Sequence, residues 1–573
     1  GATRKEFIRI TVQFIEGCRQ SNLEIDINFA RYCIKLLARD AGDGLNMHQL
    51  NACNVQKFLD NILKKYANPL DATMCNLRLC YFYKNCHHLL KIDAVKEKYD
   101  LEFQTKLKTL IDDILQYPET SNAKQIEALF GKMQIFIIAC YNLGCPKNHV
   151  LLKQTRQCLN SVLGPEDLKS YVLRKKHHRL EFLQRLSAIV CGNLIYINLS
   201  PEGDQENMRD IRVDLVMAHK NTEKAFESLL KSVIEIKDLG IHSINTLIEI
   251  NVKQAKILCH CSMEDIREIN KFVVLYFRYE NFLKDLKNTF EKTAYIISVD
   301  LEKLKCVFKK IDEVLKYRTT INSEVIFPHF VYLSELWQRL LLYLNHFVEI
   351  NKTRDILESH VTNAIEDRFI QNVNRVKEKS SMTKNPTERK FKALAEQISK
   401  MEPIDSDFLK IKNYTSDFCT LTIAITNGLL VPAGLQKELC NNLRRKFGFR
   451  NFELAKYAEL HVGDYLKTFR DAVFTSVDLI LLFNLDEEIC RSNDHNANLT
   501  SKSNEKGTQT EMVVVGDLSV PNRINITWNK WDFHRETIRL ANMVRCQTHS
   551  TQTHNSFAQR NAQNQAYNTK RHI

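Results

Sequence analysis

Between residues 210 and 375, apolar and charged positions recur with the period of an α-helix. In the first stripe the apolar positions fall mostly three or four residues apart, with Lys and Glu between them: Leu286, Phe290, Ile297, Leu301, Leu304, Phe308, Ile311 and Leu315. A second stripe has the same spacing: Leu336, Leu340, Leu344 and Phe347. This spacing predicts helices with one apolar face. Such faces need partner helices, so we expect a bundle or an elongated helical scaffold rather than membrane-surface or calmodulin-target helices.

Glycine and proline are scarce in the same region. The chain has 16 Gly and 10 Pro in 573 residues, with no proline between Pro201 and Pro328 and no glycine between Gly240 and Gly428. Both residues are costly inside helices, so long uninterrupted stretches favour long helices. The predicted fold class is mainly α, an elongated multi-helix scaffold with a small α+β module near the C-terminus and an extended polar tail.

Turn-rich and charged segments divide the chain into five predicted parts. Residues 1–200 form an N-terminal helical domain, 201–376 a long-helix bundle, 377–414 a charged linker with a short helix, 415–487 a small α+β module, and 488–573 an extended tail. Within the module, the alternation of apolar and β-branched residues over Thr420–Ile425 predicts a strand. We expect that strand to end at Gly428–Pro432 and a helical stretch to run from about Glu453 to Leu485.

Charge and cysteine content exclude few classes of function, whereas the hydrophobic pattern predicts the fold class. Lys and Arg number 81 against 68 Asp and Glu, a formal net charge of +13. This excess suits nucleic acid, an anionic membrane or the acidic tubulin surface, and equally an ordinary solvated surface. The 17 cysteines are scattered without a disulfide framework, which favours a reducing compartment. No run reaches 18 apolar residues, so we expect no transmembrane helix.

The sequence contains no motif that would indicate an enzyme. The phosphate loop GxxxxGK[ST], GxGxxG, GxSxG and HExxH do not occur. Two clusters could supply soft metal ligands: Cys75, Cys80 and Cys86-His87-His88, and Cys259-His260-Cys261. Neither has a second ligand pair at a familiar distance, so buried apolar cysteines are the preferred interpretation. We expect no catalytic residues, no metal and no cofactor.

One internal segment is strongly basic. The run Arg174-Lys175-Lys176-His177-His178-Arg179 can contact nucleic acid or tubulin. Leu173, Leu180, Phe182 and Leu183 flank it, so a solvated helix face is the favoured interpretation.

The last eighty residues are polar and contain a repeated triplet around two tryptophans. The triplets are Thr508-Gln509-Thr510 and Thr551-Gln552-Thr553, and Trp528 and Trp531 lie between them. A segment too polar to form its own core needs partners to cover its tryptophans. Lys506-Gly507-Thr508-Gln509-Thr510 resembles the Lys-x-Thr-Gln-Thr peptide read by the dynein hub light chain, which adds the peptide as a strand to a sheet edge. The second triplet has His549 in place of the lysine and fits that motif less well.

The tail also carries a resemblance to a known family. The order of its motifs is Trp528-Asn529-Lys530-Trp531-Asp532, then Arg535, then Leu540-Ala541-Asn542 before a Thr-Gln-Thr triplet. This resembles the tail of the cilia- and flagella-associated protein 206 family. Shorter similarities follow in order along the chain: Gly44-Leu45-Asn46-Met47, Leu143-Gly144-Cys145-Pro146, Ile189-Val190-Cys191-Gly192 and Gly428-Leu429-Leu430-Val431-Pro432. Residues 433–449 lack the Gly-rich and Tyr-rich strands typical of the family, which indicates a divergent member.

The resemblance implies an axonemal protein of motile cilia and sperm flagella, without catalytic residues. It implies docking of radial spoke 2 and a nearby inner-arm dynein to the doublet microtubule, with the axoneme, basal body, cytoskeleton and cytoplasm as locations. Lys506, the triplets, Trp528, Trp531 and Arg535 are the predicted partner-binding residues. Two alternatives stay open: a cytoplasmic dynein light-chain-binding transport adaptor, and a nucleic-acid-binding helical protein. Neither nucleic acid nor membrane is the expected partner.

Overall fold

The computed structural model describes residues 2–40, 52–118, 122–163, 168–200, 208–316, 321–382, 386–392, 394, 417–438, 446–487 and 489–490. Across these residues the chain forms 17 α-helices, one 3-10 helix and five short strands. The prediction of a mainly α fold is confirmed.

The described residues form two compact units, and each unit is assembled from several separate segments of the chain. The first unit contains the described residues within 1–88, 224–288 and 351–507, and the second contains those within 89–223 and 289–350. The helices α10, α11 and α12 each contribute residues to both units. The five sequential parts named above stay a prediction.

Four helices at the N-terminus open the first unit: α1 (Ala2–Gln20), α2 (Ile27–Leu37), α3 (Ala52–Ala67) and α4 (Ala72–His87). Aspartates cap α2 and α4, because the side chains of Asp26 and Asp71 accept hydrogen bonds from backbone N–H groups of each first turn. These helices contact the segment after α17 (Val477–Leu482): the Tyr32 hydroxyl donates to Asp486 Oδ2 at 2.6 Å, and Lys84 forms an ion pair with the other oxygen of Asp486.

The second unit is built around one apolar helix. Its elements are η1 (His88–Leu90), α5 (Ile92–Leu115), α6 (Ala123–Cys140), α7 (His149–Val162), α8 (Leu168–Val172) and α9 (Lys176–Leu199), with parts of the long helices. Among the described helices, α9 alone is long and apolar enough to cross a membrane, by length and composition only. Its apolar window is 67% buried inside the protein, as expected for a core helix of a folded domain.

The long helices confirm the apolar stripes. They are α10 (Ile211–Leu247), α11 (Met263–Leu315), α12 (Ser323–His360) and α13 (Asn363–Met382). Most stripe positions are buried, including Leu286, Phe290 and Ile311. Leu301 and Leu344 are half-buried at the margins of their faces.

A small antiparallel sheet follows α10. Its strands β1 (Ile248–Asn251), β2 (Lys256–Cys259) and β3 (Thr387–Lys390) pair in the order β1-β2-β3. Ile257 lies opposite Ile250 and Arg389, while Lys256 lies opposite Asn251 and Lys390. The sheet therefore joins segments on either side of α11, α12 and α13 in the chain.

The C-terminal module is α+β, but the strand predicted over Thr420–Ile425 is wrong. That segment forms α14 (Thr420–Thr426), and the strands of the module are β4 (Leu435–Glu438) and β5 (Lys446–Phe449). Nearly every side chain of α14 is buried, so no exposed face reveals its helical period. Asn427, with φ of 54°, and Gly428, with φ of 115°, end the helix in left-handed backbone. The helices α15 (Phe452–Leu460), α16 (Val462–Phe474) and α17 (Val477–Leu482) complete the module.

Candidate interaction surfaces

Lys506, Thr508, Gln509, Thr510, Trp528, Trp531, Arg535, Thr551, Gln552 and Thr553 all lie outside the described residues. Their roles stay predictions.

The two Cys/His clusters contribute mainly to packing. Cys75 and Cys80 are buried on α4, and burial raises the pKa of the Cys75 thiol to about 11. His87 is half exposed, and its Nε2 lies 3.2 Å from Asp285 Oδ2. Cys261 is buried and burial raises its pKa to about 11 as well, while the Cys259 thiol contacts the Met263 sulfur at 3.4 Å. Across the described ranges no group of three His, Cys, Asp or Glu side chains is placed to hold a metal ion.

The basic run divides into one buried and five accessible side chains. Arg179 is only 6% exposed, and its guanidinium donates to the carbonyl oxygens of Leu115 at 3.0 Å and Tyr117 at 2.9 Å. It therefore stabilises the second unit, and the prediction of a solvated face is wrong for this residue. A buried arginine is satisfied here by carbonyls at helix and loop ends, which sequence spacing does not reveal.

The five remaining residues form what we call the α9 basic surface: Arg174, Lys175, Lys176, His177 and His178. The last four are exposed, and Arg174 is half-buried with its guanidinium 4.9 Å from the ring centre of Phe182. They stand at the N-terminus of α9, where Lys175 supplies no side-chain cap and the first turn has no acidic residue. Cations are unfavourable at that end of a helix dipole. Local stability does not explain this arrangement, so the α9 basic surface is a candidate site for an acidic partner.

Two of the short motifs named above contain glycines with a structural role in the second unit. A Cβ on Gly192 would lie 1.9 Å from the carbonyl oxygen of Phe330, so the glycine is required where α9 meets α12. Gly144 has φ of +152°, and the preceding Leu143 carbonyl accepts a hydrogen bond from the Arg209 N–H at 2.8 Å. These glycines are structural.

The segment Gly428–Pro432 is held by a residue that the sequence did not single out. The side-chain amide of Asn270 on α11 donates to the Gly428 carbonyl at 3.0 Å and accepts from the Leu430 N–H at 2.9 Å. The Cys419 N–H donates to the Val431 carbonyl at 2.7 Å. Asn270 is buried, and this paired bond fixes α14 against α11. The sequence signal that could have identified Asn270 is its position among the apolar residues of a helix face on α11.

The edge of the small sheet at β3, the last of its described strands, is a second surface that the sequence did not reveal. All four side chains of β3 are exposed, and three of its residues are charged: Glu388, Arg389 and Lys390. The opposite edge is different, because the Arg450 guanidinium donates to the Ile248 carbonyl of β1 at 2.7 Å. A charged edge strand discourages pairing with apolar segments while leaving its backbone groups available.

Taken together, these features describe a mainly helical protein with exposed basic side chains at the start of α9 and along β3. Residues 214–490 match the model of the FAP206 domain, a domain of unknown function. The chain is 20% identical over 558 residues to mouse cilia- and flagella-associated protein 206, covering 94% of this chain and 87% of the relative. The bovine and zebrafish proteins of that name are 21% and 19% identical over 94% and 96% of this chain. No solved structure gives a significant match. The resemblance to the cilia- and flagella-associated protein 206 family is therefore confirmed over 94% of the chain, at about 20% identity.

Proposed function

We propose that this protein is a non-catalytic structural adaptor of the axoneme. It docks radial spoke 2 and a nearby inner-arm dynein to the doublet microtubule, and so supports the beating of cilia and sperm flagella. The observation that carries the proposal is the match over 94% of the chain to proteins named as cilia- and flagella-associated. The locations that follow are the axoneme and basal body within the cytoskeleton.

The described fold is consistent with a scaffold. The helices α11 and α12 are 53 and 38 residues long, so at about 1.5 Å per residue they span roughly 80 and 57 Å. The α9 basic surface has the charge needed to contact the acidic surface of tubulin. Trp528 and Trp531 would anchor the tail, since buried interface aromatics commonly contribute roughly 2 kcal/mol or more each.

The test is replacement of the two tail tryptophans in ciliated cells that lack the endogenous protein. We expect Trp528→Ala with Trp531→Ala to leave protein abundance unchanged and to reduce occupancy of the radial spoke 2 position in electron tomograms of axonemes. Gln563→Ala with Gln565→Ala, at tail positions outside the predicted binding residues, is the matched control and is expected to retain the spokes. Full spoke occupancy in the tryptophan variant would overturn the anchoring role.

A second candidate function is a cytoplasmic transport adaptor that binds the dynein hub light chain. The Lys506–Thr510 motif favours it, because alternating Thr side chains suit an added strand. Two triplets on one chain could also hold a dimeric reader with avidity. Detergent extraction separates the two functions: an axonemal adaptor stays with the extracted axoneme, whereas a transport adaptor is released. Salt-sensitive binding to nucleic acid, with none to microtubules, would support the remaining alternative.

A further inference from the structure

We propose that the edge of β3 binds an extended acidic segment of a partner protein as a fourth strand of the small sheet. The surface consists of Thr387–Lys390 with the neighbouring Lys256 and Lys392. It lies in the first unit, within the matched FAP206 domain. The inference does not rest on the proposed ciliary role.

Among the described residues, the buried core lies beneath β1 and β2 but not beneath β3. Ile248 and Ile257 share the inner face of the sheet and are buried under β1 and β2. On the same face of β3, Arg389 lies opposite Ile257 and Thr387 lies opposite Cys259, yet both side chains are exposed. A strand with no buried face gains little from its side chains, so β3 depends on its backbone pairing with β2. A further strand would pair with its outer side, where the described part of the chain places no strand.

The backbone groups that would accept this strand can be identified. The Phe391 N–H donates to the Ala255 carbonyl at 3.0 Å, so residues 391, 389 and 387 direct their backbone groups toward β2. The intervening Glu388 and Lys390 direct theirs to the other side. Among the described strands β3 is the last of its sheet on that side. An antiparallel or parallel peptide can therefore pair with Glu388 and Lys390 without disturbing the existing ladder.

The charges around this edge select an acidic occupant. Lys256 and Lys390 are directly opposite each other, an arrangement that is unfavourable for like charges on neighbouring strands. One ion pair partly neutralises the charge of Lys256, whose Nζ lies 2.8 Å from Glu388 Oε2. Arg389 and Lys392 add two further exposed cations. Carboxylates on alternate residues of an added strand would lie beside Lys390 and relieve this repulsion.

The test is peptide binding to the full-length protein, measured by fluorescence anisotropy at low and high salt. The probe is a labelled ten-residue peptide of alternating Glu and Thr, with alternating Lys and Thr as the charge control. A third peptide carries the Glu/Thr sequence with N-methyl groups on alternate amides, which removes strand pairing and keeps the charge. We expect the first peptide to bind, the second not to bind, and the third to bind at least about tenfold more weakly.

Two substitutions at one position separate backbone pairing from charge. Glu388→Pro removes an outward N–H and also removes a negative charge, so pure electrostatics predicts tighter binding. Strand addition predicts binding about tenfold weaker, whereas Glu388→Gln should bind as tightly as the original chain or more tightly. Lys390→Glu should weaken binding about tenfold through charge alone.

Three results would overturn the proposal. The first is failure of the Glu/Thr peptide to bind. The second is binding of the N-methylated peptide as tight as that of the Glu/Thr peptide, because strand pairing would then contribute nothing; this comparison requires no change to the protein. The third is slow hydrogen exchange of the Glu388 and Lys390 amides in the free protein, which would mean that another segment of this chain already covers the edge.

Discussion

Replacement of Asp478 by Asn tests the burial of this side chain in the first unit, because burial makes the free energy of unfolding depend on pH. Asp478 lies in the first turn of α17 and is surrounded by other ionisable groups in that unit. The Thr73 hydroxyl donates to its Oδ1 at 3.3 Å. Burial, together with the charges of Asp40 and Asp71, raises its pKa from 3.8 to about 7, and Lys271 offsets part of this effect.

The sign of the stability effect follows from proton uptake. Between pH 4 and 7 the folded protein holds a proton on Asp478 that the unfolded chain has lost, so stability falls as the pH rises through this range and levels off above about 7. A pKa raised from 3.8 to about 7 corresponds to ~4 kcal/mol at 1.36 kcal/mol for each unit, which is an upper limit. Asn mimics the protonated carboxyl at every pH.

The assay is urea unfolding of the original chain and of Asp478→Asn at pH 5 and pH 8. We expect nearly equal stability at pH 5 and a gain of on the order of 2–4 kcal/mol for the variant at pH 8. Asp471→Asn, at an exposed position on α16, is the matched control and should retain the original pH profile. If Asp478→Asn is destabilising by the same amount at both pH values, the carboxylate is charged in the folded protein and the reasoning is refuted.

Two further substitutions test the second unit. Gly192→Ala should destabilise it by about 3 kcal/mol, because the added methyl group would overlap the Phe330 carbonyl, whereas Gly131→Ala, in open space on α6, should stabilise it by about 0.5–1 kcal/mol in thermal unfolding. Equal effects of the two would contradict the close approach of α9 and α12. Lys175→Glu with Lys176→Glu should weaken microtubule co-sedimentation about tenfold while raising Tm slightly, since acidic residues suit a helix N-terminus. Lys106→Glu with Lys108→Glu, the same change at exposed positions of α5, should change neither co-sedimentation nor Tm. An equal loss of binding in this control would show that net charge alone, and not the α9 basic surface, determines binding.

The sequence predicted those parts of the fold in which one helix face is exposed. Leu286, Phe290 and Ile311 lie on such a face, so their spacing reports the helix directly. In α14 no face is exposed, and the β-branched residues Thr420, Thr422 and Ile423 favoured a strand that does not form. Their buried helical environment outweighs this local preference.

The candidate surfaces were harder to predict from the sequence than the helices, because they depend on tertiary contacts. β3 pairs with a strand about 130 residues earlier in the chain and has no apolar side chain, so neither period nor composition identifies it. Arg179 belongs to a basic run by sequence but to the interior by its hydrogen bonds. The resemblance was recognisable from short motifs, and two of them contain glycines with a structural role in this chain: Gly192 permits a close helix contact and Gly428 ends a buried helix.

Cross-linking mass spectrometry of isolated axonemes tests whether the protein connects the doublet microtubule to the spoke base. We expect the protein to remain after detergent extraction. We also expect cross-links from Lys175 or Lys176 to tubulin, and from Lys530, between the two tail tryptophans, to radial spoke proteins. Complete release of the protein by detergent, or its retention with cross-links to neither tubulin nor spoke proteins, would contradict the proposed docking role.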